Sequence, residues 1–262
     1  MALFPHGGIG LLILLILGSI MFICIRTKKL TIPAALLAGI IGAVTFFGTS
    51  WIGLLSLILF FILGVWATSH RKDLKAKITS DGIHPEGRKA SQVFANGGVA
   101  GIVSFIACLD RSHIALYELM VAASLASALA DTLSSELGMV YGRNFYNIWS
   151  FKREPKGLDG VVSLEGTLIG AAGAGMMALL YAGFDKRGII VLLAGILGNL
   201  LDSVLGATLE RNKYIGNDVV NFLNTFFAAI FAGACYALAQ QWYVHRMPGI
   251  TCLQKEIKIL LS

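Results

Sequence analysis

Charge is scarce in this chain. Asp, Glu, Lys and Arg make up 14% of the 262 residues, whereas hydrophobic residues make up 56%. Proline is also rare, with five residues, but glycine is abundant, with 30. The mean hydropathy is +0.75. This composition excludes an ordinary soluble domain and indicates packed membrane-spanning helices.

Cysteine pairs and nucleotide-binding signatures are missing too. Cys24, Cys108, Cys235 and Cys252 are scattered, and no Cys-x-x-Cys occurs, so neither a zinc site nor a disulfide framework is indicated. We interpret them as packing residues. The histidines lie in predicted loops or at span ends, which disfavours haem and zinc. The GxxxxGK[ST] phosphate-binding loop does not occur.

What the chain does contain is eight apolar segments, each close to the roughly 20 residues that cross a bilayer as a helix. Strands of a membrane barrel would be about half as long and would alternate in polarity. The sequence therefore predicts an all-α, polytopic membrane protein. The predicted spans are 8–25, 31–47, 51–69, 92–109, 113–137, 161–183, 188–209 and 218–240.

We expect one integral membrane domain over 1–262. Within it, 1–70 holds three apolar spans, 85–230 holds the catalytic helices and loops, and 241–262 is a tail. The tail's KEIKILL segment is either external or lies along a membrane interface.

The distribution of Lys and Arg predicts the topology. Fifteen of the 21 fall in the first, third, fifth and seventh loops. The positive-inside rule places these loops in the cytosol and both termini outside. These loops also account for the net charge of +6. Anionic lipid is a sufficient partner and no nucleic acid is expected. The predicted location is a membrane, the cell membrane if the source is bacterial.

Two acidic residues interrupt the apolar spans. Asp131 lies in SALADTLSSELG and Asp202 lies in GNLLDSVLGATLE. Each costs about 2.5–3.5 kcal/mol at a bilayer centre. No Lys or Arg lies inside spans four to eight away from their ends, so these acids need a cation or a proton. A functional site is therefore predicted around the pair.

The polar residues of spans four to eight gather in their cytosolic halves. On the fifth span, Ser124, Ser127, Asp131 and either Ser134 or Ser135 follow one helical stripe. Glu136 lies off that stripe, at a helix end from which we expect it to be within reach of a cytosolic ligand. On the eighth span, a second stripe consists of Asn217, Asn221 and Asn224. Single Ser, Thr and Asn residues also serve as contacts between membrane helices, which is the simpler interpretation for each alone.

Carboxylate and amide oxygens suit Mg²⁺, which commonly takes one or two carboxylates together with substrate phosphates. Asp131, Asp202 and Asp218 are the predicted metal ligands. Asp218 begins a helix, so a helix N-cap is the alternative interpretation.

A glycine-rich segment, KGLDGVVSLEGTLIG, precedes and opens the sixth span. Free amides at a helix start bind anions, and glycines let the backbone approach a phosphate. For Gly166 and Gly170, close helix packing is the alternative, and we favour it at Gly170. The basic residues upstream either bind a polyphosphate or only set the topology. The candidate phosphate-binding residues are Gly157, Gly160, Ser163 and Thr167, with Lys152, Arg153 and Lys156 upstream.

A short repeat links the two acidic spans. ALADTL and LLDSVL share a Leu-x-Asp-[Ser/Thr] pattern, and both lie on spans that run from outside to inside. A parallel duplication of helix pairs four–five and six–seven would produce this match. It would also make the two aspartates face each other.

Five segments together resemble, in order, the motifs of a family of integral membrane proteins long of unknown function. They are GRKASQVFANGG, SALADTLSSELG, GVVSLEGT, GNLLDSVLGATLE and NDVVNFLNT, within residues 85–230. The best understood members are phytyl-phosphate kinases. The positions that match the family's polar residues are Arg88, Gln92, Asn96, Asp131, Ser134, Glu136, Ser163, Asp202, Ser203, Asn217, Asp218 and Asn221.

The resemblance implies transfer of a phosphoryl group from a nucleotide, with CTP as the expected donor, to an isoprenoid monophosphate in the bilayer, with Mg²⁺ as cofactor. Asp131 and Asp202 would hold the metal, and Arg88 would neutralise phosphate charge. One departure stands out: the family's Gly-Thr-x-Gly-Gly run is here Gly-Leu-Asp-Gly-Val, over 157–161. A polyprenol kinase, a lipid-phosphate cytidylyltransferase and a transporter are the alternatives.

Overall fold

The computed structural model describes residues 7–78 and 87–246, with side chains over 8–78 and 87–242. The C-terminal part of the predicted tail lies outside the described residues. The fold is a helical bundle with one small β-hairpin. Its elements are α1 (Gly7–Arg26), α2 (Ile32–Ser69), α3 (Lys72–Ala76), α4 (Ala90–Leu109), α5 (Ile114–Tyr141), β1 (Phe145–Asn147), β2 (Val161–Ser163), α6 (Leu164–Ala182), α7 (Arg187–Leu205), a π-helical turn (Gly206–Glu210) and α8 (Asn217–Arg246).

Helix α2 reverses direction at its middle. Ser50 has φ 59° and ψ −152°, far from helical values. Lys29, just before the helix, donates from Nζ to Oγ of Ser69 at its last residue, at 3.0 Å. A straight helix of 38 residues would hold these ends about 57 Å apart, so the chain must fold back. The described residues contain seven helices long and apolar enough to span a membrane. With the reversal in α2, they make the eight predicted passes.

Helix α5 forms the centre of the bundle and packs against α2, α4, α6, α7 and α8. Its buried middle is rich in Ala and Ser, which let neighbouring backbones approach closely. A Cβ at Gly170 of α6 would lie 2.7 Å from the carbonyl oxygen of Ala130, and one at Gly166 would lie 2.8 Å from that of Ser134. The packing role favoured for Gly170 is confirmed, and Gly166 shares it.

Residues 161–163 are a correction to the predicted sixth span. They form β2, which pairs antiparallel with β1 in the register Phe145 to Ser163. Helix α6 starts only after them, where the Ser163 hydroxyl accepts a hydrogen bond from the Gly166 amide at 3.1 Å. Such a three-residue strand is too short to show a periodicity in the sequence.

The first, third, fifth and seventh loops meet at one end of the bundle. Lys28, Thr68, Gly157 and Gly206, one from each of these loops or from the helix end beside it, line a shared cavity. The predicted grouping of these loops on one side is therefore confirmed.

At the opposite end, Asp110 links α4 to α5. Its carboxylate accepts hydrogen bonds from the amide of Ser112 and the hydroxyl of Tyr117, each at 2.9 Å, and contacts Nδ1 of His113 at 2.7 Å. These hydrogen bonds, with that of His113 the strongest, lower the pKa of Asp110 from 3.8 to about 2.

Candidate active site

A cavity of about 630 Å³ opens among the ends of α2, α4, α5, α7 and α8 and the β2 hairpin. This volume lies within the usual range for small-ligand sites. Most of the predicted site residues line it. They are Arg88, Asn96, Asp131, Ser134, Glu136, Gly157, Gly160, Ser163, Asp202, Ser203, Asn217 and Asn221.

Asp131 of α5 and Asp202 of α7 face each other in this cavity, with their carboxyl groups within hydrogen-bonding range. A third helix fixes Asp202, because Nδ2 of Asn224 donates to its Oδ2 at 2.6 Å. Oδ1 of Asn224 in turn accepts from Oγ of Ser127 at 3.0 Å. The predicted facing of the two aspartates is thus found, and the helix-pair repeat itself stays a prediction.

Two more acids lie near the pair. Asp159, in the glycine-rich loop, interacts electrostatically with Asp202 and with Glu210 of the π-helical turn. Single π-helical turns often occur at functional sites. None of the described Lys or Arg residues forms a salt bridge with Asp131 or Asp202. The site is therefore acidic at its centre and suited to a cation.

The donor set fits Mg²⁺ rather than a metal held by protein alone. Within 7–78 and 87–246, no group of three or more His, Cys, Asp or Glu side chains has an arrangement that could hold a metal ion. Two facing carboxylates match the usual Mg²⁺ site, in which water and phosphate oxygens supply the remaining ligands. Asp131 and Asp202 are the residues that would hold such an ion.

Buried amides around the cavity have unused hydrogen-bonding capacity. Asn199 and Asn221 are only 5% and 8% exposed and line the cavity. In the described part of the chain, neither side chain forms a hydrogen bond, and the buried Oδ1 of Asn96 also has no partner. A polar atom buried without a partner, as Oδ1 of Asn96 is, costs about 1–3 kcal/mol. The Asn199 and Asn221 amides are therefore available to hydrogen-bond a ligand that enters the cavity.

A buried ion pair forms another wall. Lys75 of α3 is 3% exposed and donates to Glu136 of α5 at 2.5 Å. The same Nζ donates to the carbonyl oxygens of Ala67 and Thr68 at the end of α2, both at 2.9 Å. Glu136 lines the cavity as predicted, but Lys75 neutralises its negative charge.

Arg88 lies beside this pair. Its Nη2 donates to Oγ1 of Thr68 at 3.3 Å, and its guanidinium lies 5.9 Å from the ring centroid of Phe60. Burial lowers the pKa of Arg88, and the nearby charge of Glu136 acts in the opposite direction. Arg88 remains a cation at the cavity wall, at the start of α4.

Five predicted site residues do not line this cavity. Asp218 lies at a separate shallow depression with Lys89, so the three predicted metal ligands do not share one cavity. Arg153 donates to the Tyr146 hydroxyl at 3.2 Å, and Thr167 donates to the carbonyl oxygen of Ser163 at 3.0 Å. The structure removes these residues from the set around the cavity: Lys152, Arg153, Lys156, Thr167 and Asp218.

The glycine-rich loop takes a conformation that needs glycine. Gly157 and Gly160 have φ of 89° and 69°, the left-handed region that disfavours other residues. A Cβ at Gly160 would collide with the backbone of Ala207 in the π-helical turn. Gly160 thus lets the loop reach the turn that carries Glu210.

Some lining residues were not predicted from the sequence. Lys72 and Lys75 come from the third loop, where these two residues entered only the prediction of topology. Glu210 is the last residue of GNLLDSVLGATLE, the segment that contains Asp202, and Asp159 lies in the glycine-rich segment KGLDGVVSLEGTLIG, so both segments offered a signal. The missed residues that matter most are Lys75, Asp159 and Glu210. Asn199 and Asn224 belong to the predicted polar set of the seventh and eighth spans but not to the predicted site residues.

Comparison with known proteins agrees with the motifs. Residues 15–229 match the family described as Integral membrane protein DUF92. The chain is 42% identical over 123 residues to the uncharacterized membrane protein sll0875 of Synechocystis sp., covering 45% of this chain and 48% of that protein. It therefore spans about half the length of that relative.

Two relatives match over more of the chain. Protein VTE6, chloroplastic, of Arabidopsis thaliana is 27% identical over 84% of this chain and 68% of its own length. The uncharacterized membrane protein MJ0933 of Methanocaldococcus jannaschii is 29% identical over 83% of this chain and 93% of its own. No solved structure matches. The chain belongs to the integral membrane protein family DUF92, the family that its five ordered motifs resemble.

Proposed function

We propose that this protein is a nucleotide-dependent kinase that phosphorylates an isoprenoid monophosphate to the diphosphate at the cytosolic membrane surface. One observation carries the proposal. Asp131 and Asp202 face each other in a cavity lined by the amides of Asn199 and Asn221, which form no side-chain hydrogen bond to a described residue, at the end of the bundle where the basic loops meet. The motif resemblance to phytyl-phosphate kinases supports the substrate class.

The location of the cavity suits two substrates of different polarity. A lipid phosphate keeps its tail in the bilayer and its head group at the interface, whereas a nucleotide arrives from water. We place the loop end in the cytosol because of its Lys and Arg content. Both substrates then reach the same cavity, and CTP or another nucleoside triphosphate is available there.

The reaction needs positioning and charge neutralisation more than covalent participation of the protein. An oxygen of the acceptor monophosphate attacks the γ-phosphorus of the nucleotide and forms the new P–O bond. The bond from that phosphorus to the β–γ bridging oxygen breaks, and the nucleoside diphosphate leaves with the electron pair. The attacking group is already an anion, so no strong general base is required.

Different residues of the cavity would position the substrates and neutralise their charge. Mg²⁺, when bound by Asp131 and Asp202, supplies neutralisation of phosphate charge. Arg88 adds a fixed positive charge, and Glu136 is held in place by Lys75. The amides that orient phosphate oxygens are Asn96, Asn199, Asn217 and Asn221. Gly157, Gly160 and Ser163 let the loop approach a phosphate closely.

A lipid-phosphate cytidylyltransferase is the second candidate, because the same acids and amides would serve attack at the α-phosphorus. A polyprenol kinase would need a base for a neutral hydroxyl. A transporter is disfavoured because the cavity opens at one end, among polar residues of one side only.

Purified protein in detergent, with Mg²⁺, γ-labelled CTP and phytyl or geranylgeranyl phosphate, tests the proposal. We expect the label in a prenyl diphosphate. Label found only in pyrophosphate, together with CMP joined to the lipid, would assign the protein to the cytidylyltransferases. ATP and GTP in parallel reactions define the nucleotide.

A further inference from the structure

The loop between β1 and β2 presents exposed aromatic side chains at the cavity end of the bundle. Trp149 and Phe151 are 64% and 80% exposed, and Tyr146 is exposed beside them. Basic side chains follow directly in the sequence and are exposed as well. We call this surface the hairpin tip, and it consists of Tyr146, Trp149, Phe151, Lys152, Arg153 and Lys156.

The hairpin tip is held rigidly. The buried Asn147 accepts hydrogen bonds at Oδ1 from the amides of Trp149 and Ser150, both at 2.9 Å. Its carbonyl oxygen accepts from the amide of Phe151, also at 2.9 Å. Phe151 has φ 55°, a left-handed conformation that strains a bulky side chain. The fold thus uses a buried asparagine and a strained backbone to keep two large apolar side chains pointing outward.

The outward charge of the hairpin tip is positive. The one acid within the run, Glu154, is turned inward and accepts from Nη1 of Arg211 at 2.7 Å and from Nδ2 of Asn147 at 3.2 Å. Arg153 lies over the ring of Tyr146, with its guanidinium 5.6 Å from the ring centroid. The exposed side of the loop therefore combines aromatic rings with cations that form no salt bridge to a described residue.

We propose that the hairpin tip docks on the anionic surface of the bilayer in which the protein sits. Strand β2 leads straight into α6, whose first turns expose Leu164 and Leu168 on the surface of a helix long and apolar enough to span a membrane. Because the loop between β1 and β2 leads directly into the start of this helix, the hairpin tip lies at the level of the lipid head groups. Trp and Tyr concentrate at that level, and Lys and Arg are attracted there by anionic lipids. Contact with a second copy of the chain or with a soluble protein would not require exposed aromatic rings together with Lys and Arg.

The docking has a structural consequence that does not depend on the proposed reaction. The other part of the same loop, from Gly157 to Ser163, lines the cavity. Anchoring the tip in the head groups fixes the height of the cavity mouth relative to the lipid surface.

Fluorescence quenching in proteoliposomes tests this placement. A chain that keeps Trp149 alone, through Trp51→Phe, Trp66→Phe and Trp242→Phe, is reconstituted in equimolar phosphatidylcholine and phosphatidylglycerol. Lipids brominated near the head group should remove most of the Trp149 emission, while aqueous iodide should remove little. Strong iodide quenching without bromolipid quenching would overturn the proposal, and protection from both would assign the surface to a protein contact.

The charge component is tested in the same assay. Lys152→Gln, Arg153→Gln and Lys156→Gln together should reduce bromolipid quenching to the level seen in phosphatidylcholine alone, whereas unchanged quenching would overturn the role of anionic lipid. A chain keeping only Trp66, exposed on α2, serves as the lipid-contact control. If the triple tryptophan variant does not fold, the difference in quenching between the native chain and Trp149→Phe isolates the same signal.

Discussion

Nδ2 of Asn224 lies 2.6 Å from Oδ2 of Asp202, joining α8 to the acidic centre of the cavity. Because the other end of the Asn224 amide accepts from Ser127, the orientation of Asp202 is set by α5 and α8 together. Residues that hold a metal-binding carboxylate in this way govern its affinity for the metal.

Asn224→Ala should raise the Mg²⁺ concentration needed for half-maximal activity by about 10- to 100-fold, the usual effect of losing such a support. Asn224→Asp should be worse, because it adds a negative charge beside Asp202. Mg²⁺ titration of turnover measures both. Asn144→Ala, exposed in a loop outside the cavity, is the matched control. An unchanged Mg²⁺ requirement in Asn224→Ala would contradict the positioning role.

Lys75 and Glu136 should be energetically coupled. Lys75→Met and Glu136→Gln should each lower the unfolding temperature in detergent, because each leaves a charged partner in a largely buried place. The double variant should lose less than the two single losses added, with a coupling energy of about 0.5–3 kcal/mol. Strict additivity of the two effects would show that the pair does not act as a unit.

Gly160→Ala should disturb the loop that bounds the cavity. The added methyl group meets the backbone of Ala207 at a positive φ, so a cost of roughly 1–3 kcal/mol is expected, together with reduced turnover. Thermal unfolding and the phosphotransfer assay measure the two effects. Gly216→Ala is the control, since nothing lies within 4 Å of its Cβ position. Equal behaviour of the two variants would contradict the close approach of loop and turn.

Asp110 should contribute a pH-dependent part of the stability. Its folded pKa is about 2, below the ordinary 3.8, so its contribution is present above pH 3.8 and is lost as the pH falls toward 2. Asp110→Asn should therefore lower the unfolding temperature at neutral pH and flatten its decline on acidification. Thermal unfolding across this range tests it, and parallel curves for the two proteins would refute it.

The helices, their number and their grouping by side were predictable because hydropathy and the positions of Lys and Arg are local features of the sequence. The reversal at Ser50 agrees with the two short spans predicted there. The facing of Asp131 and Asp202 also followed from local pattern, because each lies on a polar stripe at the same depth.

Loop residues were harder to place because their positions depend on how the chain runs between helices. Lys75 reaches Glu136 only because α3 folds back under the end of α2, which no periodicity indicates. Lys152, Arg153 and Lys156 directly precede Gly157 in the sequence, yet the hairpin places them outside the cavity. The sequence places Asn224 on the polar stripe of the eighth span. Its hydrogen bond to Asp202, however, depends on how α7 and α8 pack against each other.

The most direct test of the metal and phosphate site is the Asp131→Asn variant. Asparagine keeps the size and hydrogen-bonding ability of the side chain but removes the charge, so the protein should retain its helical circular dichroism and unfolding temperature. In the assay with γ-labelled CTP and prenyl monophosphate, we expect it to lose nearly all turnover, even at saturating Mg²⁺. Turnover close to that of the native chain would contradict the assignment of Asp131 and Asp202 as the metal-binding pair.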